Sequence, residues 1–143
     1  MEFKLIIDEF RKEEVVVYAK GKNKLTEIIE QLVNDSNLEL VGYKNKEATF
    51  LNASDVFCFT ILDDKVYALT KNDRFVLKQR LYQVEERLSD SFVKINQSCI
   101  ANISKIKRFD ASVSGSLMVI FKNEYKEYVS RRQLKAVKER LGI

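Results

Sequence analysis

The chain has no proline, no histidine and no tryptophan, and only four glycines among its 143 residues. Each gap removes a class of function. Without histidine the commonest acid–base and metal-ligating side chain is missing. Gly21, Gly42, Gly115 and Gly142 are too scattered to build a GxGxxG or GxxxxGK[ST] phosphate loop. The two cysteines, Cys58 and Cys99, lie far apart in sequence and match no usual zinc spacing, and neither has a histidine to activate it as a nucleophile. Asp63 and Asp64 form the most obvious carboxylate pair, but they sit between two apolar runs, where aspartate is a common turn former. An enzyme is therefore not expected, nor is a metal site or a bound cofactor.

Long apolar runs are missing too. No stretch approaches the eighteen residues that mark a membrane-spanning helix. The opening MEFKLIIDEFRKEEV breaks its apolar run with acids and has no signal-peptide core or cleavage site, so a cytoplasmic protein is expected. In that reducing compartment the cysteines read as small buried apolar residues, with a redox switch at Cys99 as the competing reading. No linker, low-complexity segment or internal repeat stands out.

What is present is an uneven charge. Net charge is +4, yet residues 1–72 carry 10 Lys and Arg against 13 Asp and Glu, while residues 73–143 carry 15 against 8. The basic excess belongs to the second half and points to a polyanionic partner there. An acidic protein is the alternative to a nucleic acid.

Periodicity gives the elements. Phe3–Ile7 and Val15–Ala19 are rich in β-branched and aromatic residues and read as strands around the charged turn Glu9–Glu14. Leu25, Ile28, Ile29 and Leu32 have helical spacing, and LELVGYK with EATFLN reads as a hairpin around Asn45. From Asp55 onward VFCFTI, VYALTK and RFVLK read as short strands, with turns at DDK and KND. Leu77, Leu81, Val84 and Leu88 mark one face of a second helix across LKQRLYQVEERL. SDSFVKI, ISKIKRF, SLMVIF and EYKEYV continue the strands, with a turn at DASVSGS. SRRQLKAVKERL closes the chain as a helix capped by Ser130 and burying Leu134, Val137 and Leu141. Short strands joined by tight turns predict a mainly β, antiparallel architecture.

The polar and basic groups gather in loops. Lys94, Asn96, Gln97 and Ser98 end one strand; Asn102, Ser104, Lys105, Lys107 and Arg108 follow; Ser130, Arg131 and Arg132 open the last helix. Arginine and glutamine can make paired contacts to guanine and adenine edges, while lysines and helix N-terminal amides bind phosphate. Two arginines at a helix N-terminus oppose the helix dipole, which an arriving anion would relieve. Each group also has an ordinary reading: Asn96–Ser98 as a turn, Asn102 as a cap, Arg131–Arg132 as a solvated helix start.

FVKINQSCIANISKIKRF, followed after a turn by LMVIFKNEYKEYVSRRQLKAVKERL, resembles the second half of the LytTR DNA-binding domain of bacterial transcription regulators. The matching positions are Phe92, Lys94, Ser98, Asn102, Ile106 and Val129–Lys135, and the strand series from Asp55 onward is similar to the family's first half. The resemblance covers roughly residues 52–143. It implies an elongated LytTR-like domain of short antiparallel sheets with two helices, here preceded by a small strand-helix-strand segment, residues 1–51, suited to dimerisation or regulation. It also implies a regulator that reads the major groove of double-stranded DNA, at tandem repeat sites, through loop residues; residues 1–51 are too short for the receiver domain usual in the family, so a stand-alone regulator is expected. A membrane protein that restrains the regulator is a further implied partner, beside a homodimer. By position the implied contacts are Lys94, Asn96, Gln97, Ser98, Arg131 and Arg132, with Lys65 from the Asp63–Asp64–Lys65 turn; Asn102, Lys105 and Ser130 complete the candidate set. Asn96 stands where the family usually has histidine, Gln97 stands where it has arginine or asparagine, and the two aspartates beside Lys65 repel phosphate.

Overall fold

The computed structural model describes residues 2–36, 39–112 and 115–143. Helix α1, Lys24–Ser36, opens on a reciprocal cap: Asn23 Oδ1 accepts the Thr26 N–H at 3.0 Å, and Thr26 Oγ1 accepts the Asn23 N–H at 2.9 Å. Strands β1, Glu39–Lys44, and β2, Glu47–Asn52, follow as a hairpin. Its two turn residues, Asn45 and Lys46, have φ of 51° and 67°, the geometry that matches strand twist in a two-residue turn. A 3-10 turn, Ala53–Asp55, leads into β3, Cys58–Leu62, β4, Lys65–Leu69, and β5, Arg74–Leu77. Helix α2, Leu81–Arg87, precedes β6, Phe92–Asn96, and β7, Cys99–Asn102. After a second 3-10 turn, Ile103–Lys105, come β8, Ile106–Asp110, β9, Leu117–Phe121, β10, Lys126–Val129, and α3, Arg131–Leu141. Residues 113 and 114 of the expected DASVSGS turn lie outside the described residues.

Among the described residues ten strands form two sheets in which every pairing is antiparallel: seven strands in the order β2-β1-β5-β4-β3-β7-β6, and three in the order β10-β9-β8. The middle of the larger sheet, around β3 and β7, is buried on both faces. Phe59, Val66, Leu77 and Ile100 join Leu81 and Val84 of α2 in one core. Cys58, Leu69, Cys99 and Ala101 point the other way, into a second core with Val119 and Phe121 of β9 and Val137 of α3. That two-sided burial explains why β3 and β7 read as unbroken apolar runs instead of alternating ones. The mainly β, antiparallel architecture expected from the sequence is the one observed.

Two expectations change. Phe3–Ile7 and Val15–Ala19 form no strands: residues 2–23 are irregular and exposed, and their one internal backbone hydrogen bond joins Arg11 N–H to Asp8 C=O at 3.3 Å. Propensity alone does not hold a strand; it needs a neighbouring edge, and none lies beside this segment. Helix α2 also begins four residues later than the apolar stripe indicated. Leu77 is the last residue of β5, and it shares a core with Leu81, Val84 and Leu88 without sharing their helix.

Candidate nucleic-acid interface

Three loops meet at one end of the large sheet. The β6–β7 turn carries Gln97 and Ser98, both exposed. Beside it runs the β3–β4 turn, because β3 pairs with β7 and Ile61 N–H donates to Ser98 C=O at 2.9 Å. Asp63 and Asp64 fill that second turn with φ of 50° and 61°, and exposed Lys65 follows. The third loop is the junction between β10 and α3. Ser130 N–H donates to Ile95 C=O at 2.9 Å, which fastens the start of α3 to the end of β6. This brings exposed Arg131 and Arg132 to the same end of the sheet as exposed Gln97 and Ser98. Ser130 caps the helix, its hydroxyl accepting the Gln133 N–H at 3.3 Å.

Asn96 is the pin of this arrangement. It is 1% exposed, and its carboxamide makes three contacts inside the protein. Oδ1 accepts the Ser98 N–H at 2.8 Å, which shapes the turn; Nδ2 donates to Tyr128 C=O at 2.8 Å and to Glu127 Oε1 at 3.3 Å. Glu127 in turn accepts the Tyr125 hydroxyl at 3.0 Å. Burial, reinforced by the Glu127 carboxylate, pushes the Tyr125 phenol well above its ordinary pKa, so it stays a neutral donor. A buried network of this kind fixes a loop because every broken link leaves a polar group unpaired. The expectation that Asn96 faces a base edge gives way to the turn reading: its hydrogen-bonding groups point inward.

Asn102 behaves alike at the opposite end of β7. It is 2% exposed, donates from Nδ2 to Val56 C=O at 2.8 Å, and accepts the Ser104 N–H and hydroxyl at 3.1 and 2.8 Å. It is the cap of the second 3-10 turn and does not share the Gln97 surface. Lys105 sits in that same turn, half-buried, with Nζ 5.4 Å from the Phe57 ring centroid. Lys94 is half-buried and set back along β6, lining a groove with Glu85, Asp90, Gln133 and Arg140. Of the ten candidates, Lys65, Gln97, Ser98, Ser130, Arg131 and Arg132 come together; Asn102 and Lys105 do not.

Glu127 and Tyr125 were missed in the sequence, although a clue was there. In YKEYV the period of two puts Tyr125, Glu127 and Val129 on one side, so a carboxylate follows an inward-facing strand pattern and needs a buried partner. Cys58 and Cys99 are both buried and lie diagonally across β3 and β7, Cys58 opposite Ala101 and Cys99 opposite Thr60. The hydrogen bond with Cys58 and the burial of the site raise the Cys99 pKa, which favours the neutral thiol. Among the described residues no group of acidic or cysteine side chains is placed to hold a metal ion, and no helix is long and apolar enough to cross a membrane.

A LytTr DNA-binding domain model matches residues 46–142. Proteins from Staphylococcus aureus strains NCTC 8325 and COL, each named an uncharacterized HTH-type transcriptional regulator, are 36% identical over 125 residues, covering 84% of this chain and 85% of theirs. The fold is similar to a solved LytTr DNA-binding domain from Bacillus cereus, with a TM-score of 0.69 at 21% identity over 73% of this chain and 97% of that one.

Proposed function

Because the chain belongs to the LytTR DNA-binding domain family, a group of DNA-binding regulators and not an enzyme class, we propose that it is a sequence-specific transcription regulator whose loops enter the major groove. The observation that carries this reading is the fastening of the strand end before Gln97 to the start of α3, which keeps an amide and two guanidinium groups exposed at one end of the sheet. Gln97 offers the paired donor and acceptor that fit adenine, and Arg132 the fork that fits guanine. Ser98, Ser130, Arg131 and Lys65 grip phosphates, and an arriving phosphate offsets the cost of cations at a helix N-terminus. Asn96, with Glu127 behind it, is a positioning residue.

Residues 52–143 carry the DNA contact in this proposal and residues 1–51 serve assembly, so that two chains occupy tandem repeats in the cytoplasm. Restraint by a membrane protein is a further regulatory layer of the same proposal. Selection of bound fragments from genomic DNA tests the specificity: enrichment of one repeat sequence is expected. Equal recovery of all fragments would leave only a basic protein-interaction module. On the selected site, Arg132→Ala should weaken binding by about 1–3 kcal/mol, as for loss of a bidentate base contact. With five or six phosphates neutralised, affinity should fall with salt at a log–log slope of roughly −5.

A further inference from the structure

Residues 3–32 and the edge strand β2 present more apolar surface than a free monomer ordinarily leaves open. Nine large apolar side chains between Phe3 and Tyr18 are exposed, Phe10 by 91% and Tyr18 by 96%. Helix α1 adds to this. Ile29 and Val33 are half-buried, while Leu25, Ile28 and Leu32, a stripe at i, i+3 and i+7, face solvent. Strand β2 ends the seven-stranded sheet, pairs among the described residues only with β1, and leaves Phe50 78% exposed. Exposed apolar surface of this extent marks an interaction site, and an unpaired sheet edge is a template for another strand.

We propose that this surface is the docking site of a second copy of the same chain, with the segments Phe3–Ile7 and Val15–Ala19 becoming strands only between the two copies. Three observations select that occupant. The area is right: at on the order of 100 Å² each, the nine side chains approach the ~800 Å² that one partner contributes to a standard-size interface. The charge is right as well. Residues 2–23 carry five acidic and five basic side chains, so two copies do not repel, whereas an acidic or a basic partner gains nothing there. The chemistry of the strands also fits. VVVYA is apolar at every position and FKLII at every position but Lys4, close to the pattern of strands covered on both faces, and this monomer covers neither face. A hairpin alone does not hold in water, but two hairpins meeting about a twofold axis give each strand an edge and each face a cover.

The proposal rests on the assembly role given to residues 1–51; none of the DNA-contact residues takes part, so its failure would remove that role and leave the loop contacts to DNA untouched. The test is sedimentation of the full chain from about 1 to about 100 µM, the range in which a modest standard-size interface dissociates, combined with amide hydrogen exchange. The mass should rise from 16.7 kDa to twice that value. Amides of residues 3–7 and 15–19, unpaired in the monomer, should become protected in step with the mass. The double variant Ile6→Glu, Val16→Glu alters no buried residue and should dissociate at least about tenfold more readily. A wild-type chain that stays monomeric throughout overturns the proposal, whether or not its arm amides are protected. So does a dimer whose arm amides exchange freely, or a double variant that dimerises like the wild type.

Discussion

FKLII and VVVYA near the start of the chain, and FVKIN and CIAN in its second half, have the same local β chemistry and meet opposite fates. The second pair forms β6 and β7, hydrogen-bonded to each other and, through β7, to β3. Ile95 enters one core and Ile100 the other, and neither is more than 1% exposed. The first pair has no strand beside it and lies open. What separates them is the availability of an edge and of two apolar faces to fill. The same physics gives the two regions different tasks: the packed strands hold loop side chains in place, and the open ones wait for a surface to complete.

The sharpest way to break this comparison is to delete the same atoms from both regions. Ile100→Ala should lower unfolding free energy by about 2–5 kcal/mol, because it opens a cavity between sheet and α2. Ile6→Ala should change it by less than about 0.5 kcal/mol in dilute solution, where an exposed side chain has little to lose. Urea unfolding reads both. Equal losses would mean that the arm packs on its own domain. A loss at Ile6 that grows with protein concentration is the behaviour expected of a second copy.

A smaller contrast lies within one turn. Asn96 and Gln97 are sequence neighbours, one buried with its carboxamide engaged inside the protein, the other exposed. Asn96→Ala leaves Tyr128 C=O and Ser98 N–H without their partner and should cost about 1–3 kcal/mol of stability, with weaker DNA binding as a consequence. Gln97→Ala should leave stability within about 0.5 kcal/mol of wild type and still weaken binding to the selected site by about 1–3 kcal/mol. Thermal unfolding beside a mobility-shift titration separates the two roles. If both variants lost stability alike, Gln97 would belong to the scaffold and not to the reading surface.

These neighbours also show how far the sequence could be read. The hairpins around Asn45 and around Asp63–Asp64 were legible because a two-residue turn needs positive φ, which Asn and Asp tolerate. The last helix was legible from Ser130 and the Leu134, Val137, Leu141 stripe. The start of α2 was not, since Leu77 serves the same core from a strand end as it would from a helix. The direction of Asn96 and Asn102 was not legible either. An asparagine that closes a turn and one that reads a base have the same local sequence; only the position of Val56 C=O and Tyr128 C=O, brought near by distant strands, decides between them. The clustering of Lys65, Gln97 and Arg132 depends on strand order, which no local pattern carries.

Ser130 gives the smallest effect and the finest distinction, because cap and contact share one side chain. Ser130→Ala removes the acceptor for Gln133 N–H and should cost about 1 kcal/mol of stability. Ser130→Asp keeps a good cap and adds a negative charge where the helix dipole favours one, so unfolding should be unchanged or slightly harder. That same charge would stand beside Arg131 and Arg132, where a DNA phosphate is proposed to sit. Binding should therefore weaken in the aspartate variant although the fold is intact, and the log–log salt slope should become shallower as phosphate contacts are lost. An aspartate variant that bound DNA with wild-type affinity and slope would move the duplex away from the start of α3 and leave the β6–β7 turn as the surviving contact.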